Sequence, residues 1–71
     1  MAQTYEFYLE RAAQSALAAD EAVLENVRMR ELRSEKNWLA LAERTREGKI
    51  AREKADAMRA AKREAELGLT N

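Results

Sequence analysis

The sequence contains no cysteine, no proline and no histidine, and its only glycines are Gly48 and Gly68. Without Cys and His, the chain cannot form a disulfide scaffold, a zinc finger, a cysteine nucleophile or a His-based catalytic set. The scarcity of turn-forming residues argues against a β-rich fold. We therefore expect a protein that is not an enzyme, with no catalytic residues, no cofactor and no metal site.

The composition is that of a helical chain. Ala, Glu, Lys, Leu and Arg make up 47 of the 71 residues, which exceeds the roughly one-half share that marks long helices and coiled coils. One small domain of this size, residues 1–71, buries only about 60% of its unfolded surface. No disulfide or metal compensates, so we expect a homo-oligomer or another protein partner.

Charge of one sign is also lacking, because 13 basic residues balance 13 acidic ones. The balance is uneven along the chain: residues 1–26 carry a net charge of −4, whereas residues 49–71 carry +2. No apolar run approaches the roughly 20 residues that cross a bilayer, and the N-terminal residues lack the pattern of a signal peptide. We expect a cytoplasmic protein without a membrane partner.

Apolar residues recur at helical spacing from Tyr5 onwards, directly after Thr4, which is a good helix N-cap. The stripe becomes rich in alanine towards its end, and a neighbouring helix can approach such a stripe closely. Its members are Tyr5, Tyr8, Leu9, Ala12, Ala16, Ala19 and Val23. The pattern predicts a first helix that packs along this stripe.

The pattern changes phase around Leu24–Asn26, where Asn26 is a candidate N-cap of a second helix. We expect that helix to run from Val27 to about Arg46, with Gly48 just beyond its end. We also expect Val23 and Leu24 to pack as a plug at the turn. The chain therefore predicts an all-α fold built on an antiparallel helical hairpin over residues 4–47.

Antiparallel neighbours joined by a short turn meet where their residue numbers add up to about 50. This register places Ala16 against Ser34 and the large Trp38 against Ala12. Large side chains facing small ones pack closely, so we expect Trp38 in the core of the hairpin.

Residues 49–71 are rich in helix formers but carry a thin apolar stripe. They could form a third helix that lies on the hairpin, a helix that forms only in an oligomer, or a partly disordered tail. We favour the third packed helix, which would complete a small helical bundle.

Residues 23–46 contain the frame L-x-N-V-R-x-R-x-L-R-S-x-x-x-W-x-x-x-A-x-R, preceded by an aromatic, Ala-rich helix that starts at Tyr5. This frame resembles a group of small uncharacterised alphaproteobacterial proteins over roughly residues 5–46. The resemblance implies a helical hairpin in a bacterial cytoplasm. It implies no activity, substrate, cofactor or site residue.

Apolar residues flank the predicted contact stripe on both helices, and two helices cannot bury all of them. We interpret them as a protein-interaction surface used for self-association or for an unidentified partner. These residues are Phe7, Leu17, Met29, Leu32, Leu39, Ile50 and Met58.

A basic stretch in the second helix offers an alternative, weak nucleic-acid binding through Arg28, Arg30, Arg33 and Lys36. Glu31 and Glu35 interleave with these residues, so we favour a solvated or internally paired face. The same two carboxylates share a helix face as metal ligands do, but the Glu-x-x-His pairs of di-iron bundles are missing. We interpret them as partners in ion pairs.

Overall fold

The computed structural model describes residues 3–69, which fold into two α-helices without any strand in that range. Helix α1 runs from Tyr5 to Glu21 and helix α2 from Glu25 to Leu69. The two helices pack against each other as an antiparallel hairpin. The predicted all-α fold and its hairpin are confirmed. The predicted tail includes residues 70 and 71, which lie outside the described part of the chain.

Helix α1 begins at the cap that the sequence predicts. The Thr4 backbone is extended, and its hydroxyl oxygen accepts a hydrogen bond from the Phe7 N–H at 3.1 Å. This bond satisfies one of the N–H groups that have no carbonyl partner in the first turn. Glu6 lies in the same turn, where its charge is favourable at the positive end of the helix dipole.

The turn between the helices consists of Ala22, Val23 and Leu24. The Ala22 N–H donates to the Ala19 carbonyl at 3.3 Å, and the Arg28 N–H donates to the Leu24 carbonyl at 3.0 Å. Val23 and Leu24 are exposed, at 97% and 62%, so the predicted packing of these two residues at the turn is wrong. A three-residue connection leaves nothing beyond it for them to pack against.

Helix α2 starts two residues earlier than predicted. Glu25 is its first residue, and the Asn26 side chain accepts from the Val27 N–H at 3.0 Å. Asn26 therefore lies in the first turn instead of capping it.

Small side chains form the contact between the two helices. Ala12 and Ala19 of α1 and Ala42 of α2 are 2–3% exposed, and Ser15 is also buried. The Ser15 hydroxyl donates to Ser34 Oγ at 3.1 Å. The numbers 15 and 34 add up to 49, within one residue of the predicted register. Because these side chains are small, the two helices can lie close together.

Helix α2 does not end near Arg46 but continues without a break through Gly48 to Leu69. Gly48 does not adopt a positive φ, the conformation that a helix-ending glycine would use. Residues 49–69 are helical as their composition predicts, but they form no third helix, because nothing reverses the chain after Arg46. The bundle expected from the sequence is not present within residues 3–69 of the single chain.

The second part of α2, residues 46–69, projects beyond α1, and we call it the arm. Every described side chain from Arg46 to Gly68 is exposed. The molecule measures 72 × 17 × 16 Å, so the arm extends the hairpin into a rod. The side of the arm that continues the α1 contact carries five charged residues, which offer little apolar surface for another helix to pack on. They are Lys49, Arg52, Asp56, Arg59 and Arg63.

We expect Ala12→Leu to destabilise the hairpin by about 1–3 kcal/mol, because a large side chain must push the closely packed helices apart. Ala13→Leu is the matched control, since Ala13 is exposed. Urea unfolding followed by far-UV circular dichroism measures both. Equal stabilities of the two variants would contradict the close contact at Ala12.

We expect Gly48→Ala to raise the stability of α2 by about 0.5–1 kcal/mol, because alanine is the better helix former. A Cβ at Gly48 meets nothing within 4 Å, so no clash offsets the gain. Thermal melting followed at 222 nm measures it, and Gly68→Ala, near the helix end, serves as a control with a smaller effect. Loss of helicity in Gly48→Ala would mean that α2 does not run through this position.

Candidate interaction surface

The apolar residues that the sequence singles out on α2 lie away from the centre of the contact with α1, and Leu32 lies at the edge of this contact. The residues that approach α1 recur at 3–4-residue steps, include Val27, Ser34, Trp38, Leu41 and Thr45, and are at least partly buried. The apolar residues of the opposite side are offset from them by roughly 100–200° around the helix. We call this side the outer face of α2; its large apolar residues are Met29, Leu32, Leu39, Ile50 and Met58, all exposed.

The two predicted surface residues of α1 differ in their surroundings. Leu17 is 58% exposed, as expected for an interaction residue. Phe7 is half-buried, and its ring lies edge-on to Trp38, with centroids 6.1 Å apart. The structure therefore places Phe7 within an internal contact, whereas Leu17 and the outer face of α2 remain accessible.

The imbalance between exposed and buried apolar side chains is large. Among the described residues, only three hydrophobic residues are buried, all of them alanines, and no large side chain is fully buried. Burial of a large apolar side chain is worth about 1.5–3 kcal/mol, and the single chain realises little of this. The exposed large residues are Leu9, Leu17, Val23, Leu24, Met29, Leu32, Leu39, Ile50, Met58 and Leu67.

Trp38 joins an aromatic cluster near the open end of the hairpin. Its ring is stacked on Tyr8 at a centroid distance of 6.0 Å, and Phe7 and Tyr8 meet edge-on at 5.7 Å. The Arg11 guanidinium lies 5.2 Å from the centre of the indole, at a distance typical of a cation–π contact. Trp38 is half-buried, so its predicted place in the core holds only in part.

Sequence reasoning missed the role of Arg11. With Ser15 and Ser34 in contact, positions whose numbers add up to 49 are level, and this places Arg11 beside Trp38. The register therefore contained the signal for the contact between Arg11 and Trp38, but this pair requires a total of 49 instead of the predicted 50. The indole also reaches the preceding turn of α1, where Phe7 and Tyr8 lie.

The basic residues of the nucleic-acid alternative do not form one continuous face. At 100° per residue, Arg28, Arg30, Arg33 and Lys36 spread over about 200° of the helix circumference. Arg28 Nη2 is 2.6 Å from Glu25 Oε1, and Arg30 Nη2 is 3.9 Å from Glu31 Oε1. This arrangement does not favour a phosphate-binding surface, and nucleic-acid binding stays a prediction.

Exposed ion pairs within α2 shift the pKa of two carboxyl groups. The hydrogen bonds from Arg28 lower the pKa of Glu25, and those from Arg46 lower the pKa of Glu43. Such solvent-exposed pairs contribute little to stability. Glu31 and Glu35 are half-buried, and within residues 3–69 no three His, Cys, Asp or Glu side chains are grouped as a metal site would require.

A groove of about 170 Å³ lies between the helices. This is smaller than the roughly 300–1,000 Å³ of typical small-molecule sites. Leu32 borders it, which connects the groove with the outer face. Its other lining residues are Ala16, Ala19, Asp20, Arg28 and Glu35.

No protein-family model matches the chain, and no curated protein or solved structure matches it either. Neither helix, over residues 3–69, contains a stretch that is both apolar and long enough to cross a bilayer.

We expect Trp38→Ala to cost about 2–3 kcal/mol, less than the roughly 3–5 kcal/mol of a fully buried tryptophan, because part of the indole is already in water. Trp38→Phe should retain part of the contact with Tyr8 and lose less. Urea unfolding followed by far-UV circular dichroism measures both variants. An unchanged midpoint in Trp38→Ala would show that the aromatic cluster does not hold the helices together.

Proposed function

We propose that this chain is a non-enzymatic protein-interaction module that associates with a second copy of itself through the outer face of α2. The observation that carries the proposal is a contrast within the described part of the chain, where three alanines are the buried hydrophobic residues and a row of large side chains is exposed. Water-exposed apolar rows of this length are typical of helices that bind another helix.

The surroundings of the two serines agree with a non-enzymatic role. Ser15 and Ser34 are hydrogen-bonded to each other, at 3.1 Å, and the sequence has no histidine or cysteine to activate them. We further propose a place in a bacterial cytoplasm, which is what the resemblance of residues 5–46 to small alphaproteobacterial proteins would imply.

The arm also fits this role. A helix in water with no tertiary contact is only marginally stable, and the arm has no cover from its own chain. We therefore propose that the arm packs against another molecule and not against its own hairpin. The third helix that the sequence predicts for the bundle would then come from a second chain.

Sedimentation equilibrium at micromolar concentration tests the proposal. We expect self-association, and we expect Leu39→Gln to weaken it by at least about tenfold, because a symmetric dimer loses two buried leucines. Val23→Gln is the matched control, since it makes the same kind of change at an exposed residue of the turn.

A monomer at every concentration, together with no protein retained by the immobilised chain, would contradict the proposal. Equal weakening by Leu39→Gln and Val23→Gln would show that association does not use the outer face of α2.

A further inference from the structure

The outer face of α2 continues without interruption from the hairpin into the arm. Starting from Met29, its positions follow one another at three- and four-residue steps over the length of the helix. These eleven positions are Met29, Leu32, Lys36, Leu39, Glu43, Glu47, Ile50, Lys54, Met58, Ala61 and Ala65. All of them are exposed, and seven of them are apolar. We call these eleven residues the outer row.

We propose that two copies of the chain pair antiparallel along the outer row, in the register where facing residue numbers add up to 97. This inference rests on the proposed self-association and specifies its geometry. In this register each arm lies along the hairpin of the other copy.

The spacing of the outer row favours this pairing. In a two-fold symmetric dimer, if one residue faces a second, the second also faces the first. When facing residue numbers add up to 97, each position of the outer row from 32 to 65 faces another position of the row. Position 32 faces 65, 36 faces 61, 39 faces 58, 43 faces 54, and 47 faces 50. The spacing of the row therefore matches itself in this register, and its centre lies close to the middle of α2.

The charges of the outer row select this register. Glu43 of one copy faces Lys54 of the other, and symmetry repeats the pair, so each dimer contains two attractive contacts. A shift by one heptad, to a total of 90, would instead set Lys36 against Lys54 and Glu43 against Glu47. Like charges directly opposite each other destabilise an interface, so this alternative is disfavoured.

The apolar residues agree with the charges. Leu39 faces Met58 twice in the dimer, and Leu32 faces Ala65, so large side chains lie on flexible or small ones. A shift in the other direction, to a total of 101, would pair Glu47 with Lys54 but would place Leu39 on Lys62. Of the three registers compared, only 97 pairs Glu43 with Lys54 and also sets Leu39 on Met58; Ile50 then faces Glu47.

The area available is sufficient for a specific dimer. In this register residues 28–69 of the two copies overlap; at about 1.5 Å per residue and about 10 Å of width, this part of one face offers roughly 630 Å² per copy. The total, about 1,300 Å², lies within the range of about 1,200–2,000 Å² for stable interfaces. The dimer also covers the arm, which is uncovered in the single chain.

Disulfide cross-linking tests the orientation directly, because the chain contains no cysteine of its own. A mixture of Leu39→Cys and Met58→Cys chains should form a mixed disulfide dimer on mild oxidation, identified by mass spectrometry. Either variant alone should not cross-link with itself, since positions 39 and 58 are about 28 Å apart along the helix. Self-cross-linking of each single variant would reveal a parallel dimer and overturn the inference.

Charge exchange tests the register. Glu43→Lys or Lys54→Glu alone should weaken dimerisation roughly tenfold, since attraction becomes repulsion at two sites, and the double variant should restore it. Glu43→Lys also removes the pair with Arg46 inside the helix, which the double variant does not rebuild. Recovery of dimerisation therefore reports the contact between chains.

The matched controls are Glu53→Lys and Lys49→Glu, which make the same charge changes outside the outer row and should leave dimerisation unchanged. Failure of the double variant to recover overturns the register. A wild-type chain that stays monomeric overturns the proposed self-association itself. A wild-type dimer that resists both the cross-link and the charge exchange overturns only the antiparallel pairing.

Discussion

The close contact between α1 and α2 through small side chains is the constraint on which the rest of the molecule depends. Ala12, Ser15 and Ala19 allow the helices to approach each other, and the bond from Ser15 to Ser34 fixes their relative position. The same contact buries little apolar area, since alanine contributes little. The larger apolar residues are consequently left on the outside of the hairpin, where a second molecule can cover them.

Much of the hairpin could be predicted because its determinants are local or periodic. Thr4 caps α1 through a hydrogen bond within one turn, and the alanine stripe marks the contact side of α1 by its spacing. The register followed from the short turn and was wrong by one residue. The exposed residues of α2 followed from counting: more apolar positions exist than two helices can bury.

The continuation of α2 through Gly48 could not be predicted from the residue itself. Glycine ends a helix only when the chain adopts a positive φ there, and strong helix formers on both sides keep it helical instead. A helical wheel could not predict the contact of Phe7 with Trp38 either. Its direction suggests exposure, but the large indole of Trp38 reaches over the neighbouring turn and contacts it.

The brevity of the link at Ala22–Leu24 has a consequence for how the chain folds. Contacts nearest to this link join residues that are close in sequence, so bringing them together costs little loop-closure entropy. The contacts between α1 and α2 can therefore form progressively from the link towards Thr4 and Thr45. Such local contacts are typical of rapidly folding helical proteins. Beyond that point α1 offers no further partner, so in the proposed dimer the arm would find its contacts in a concentration-dependent step that follows formation of the hairpin.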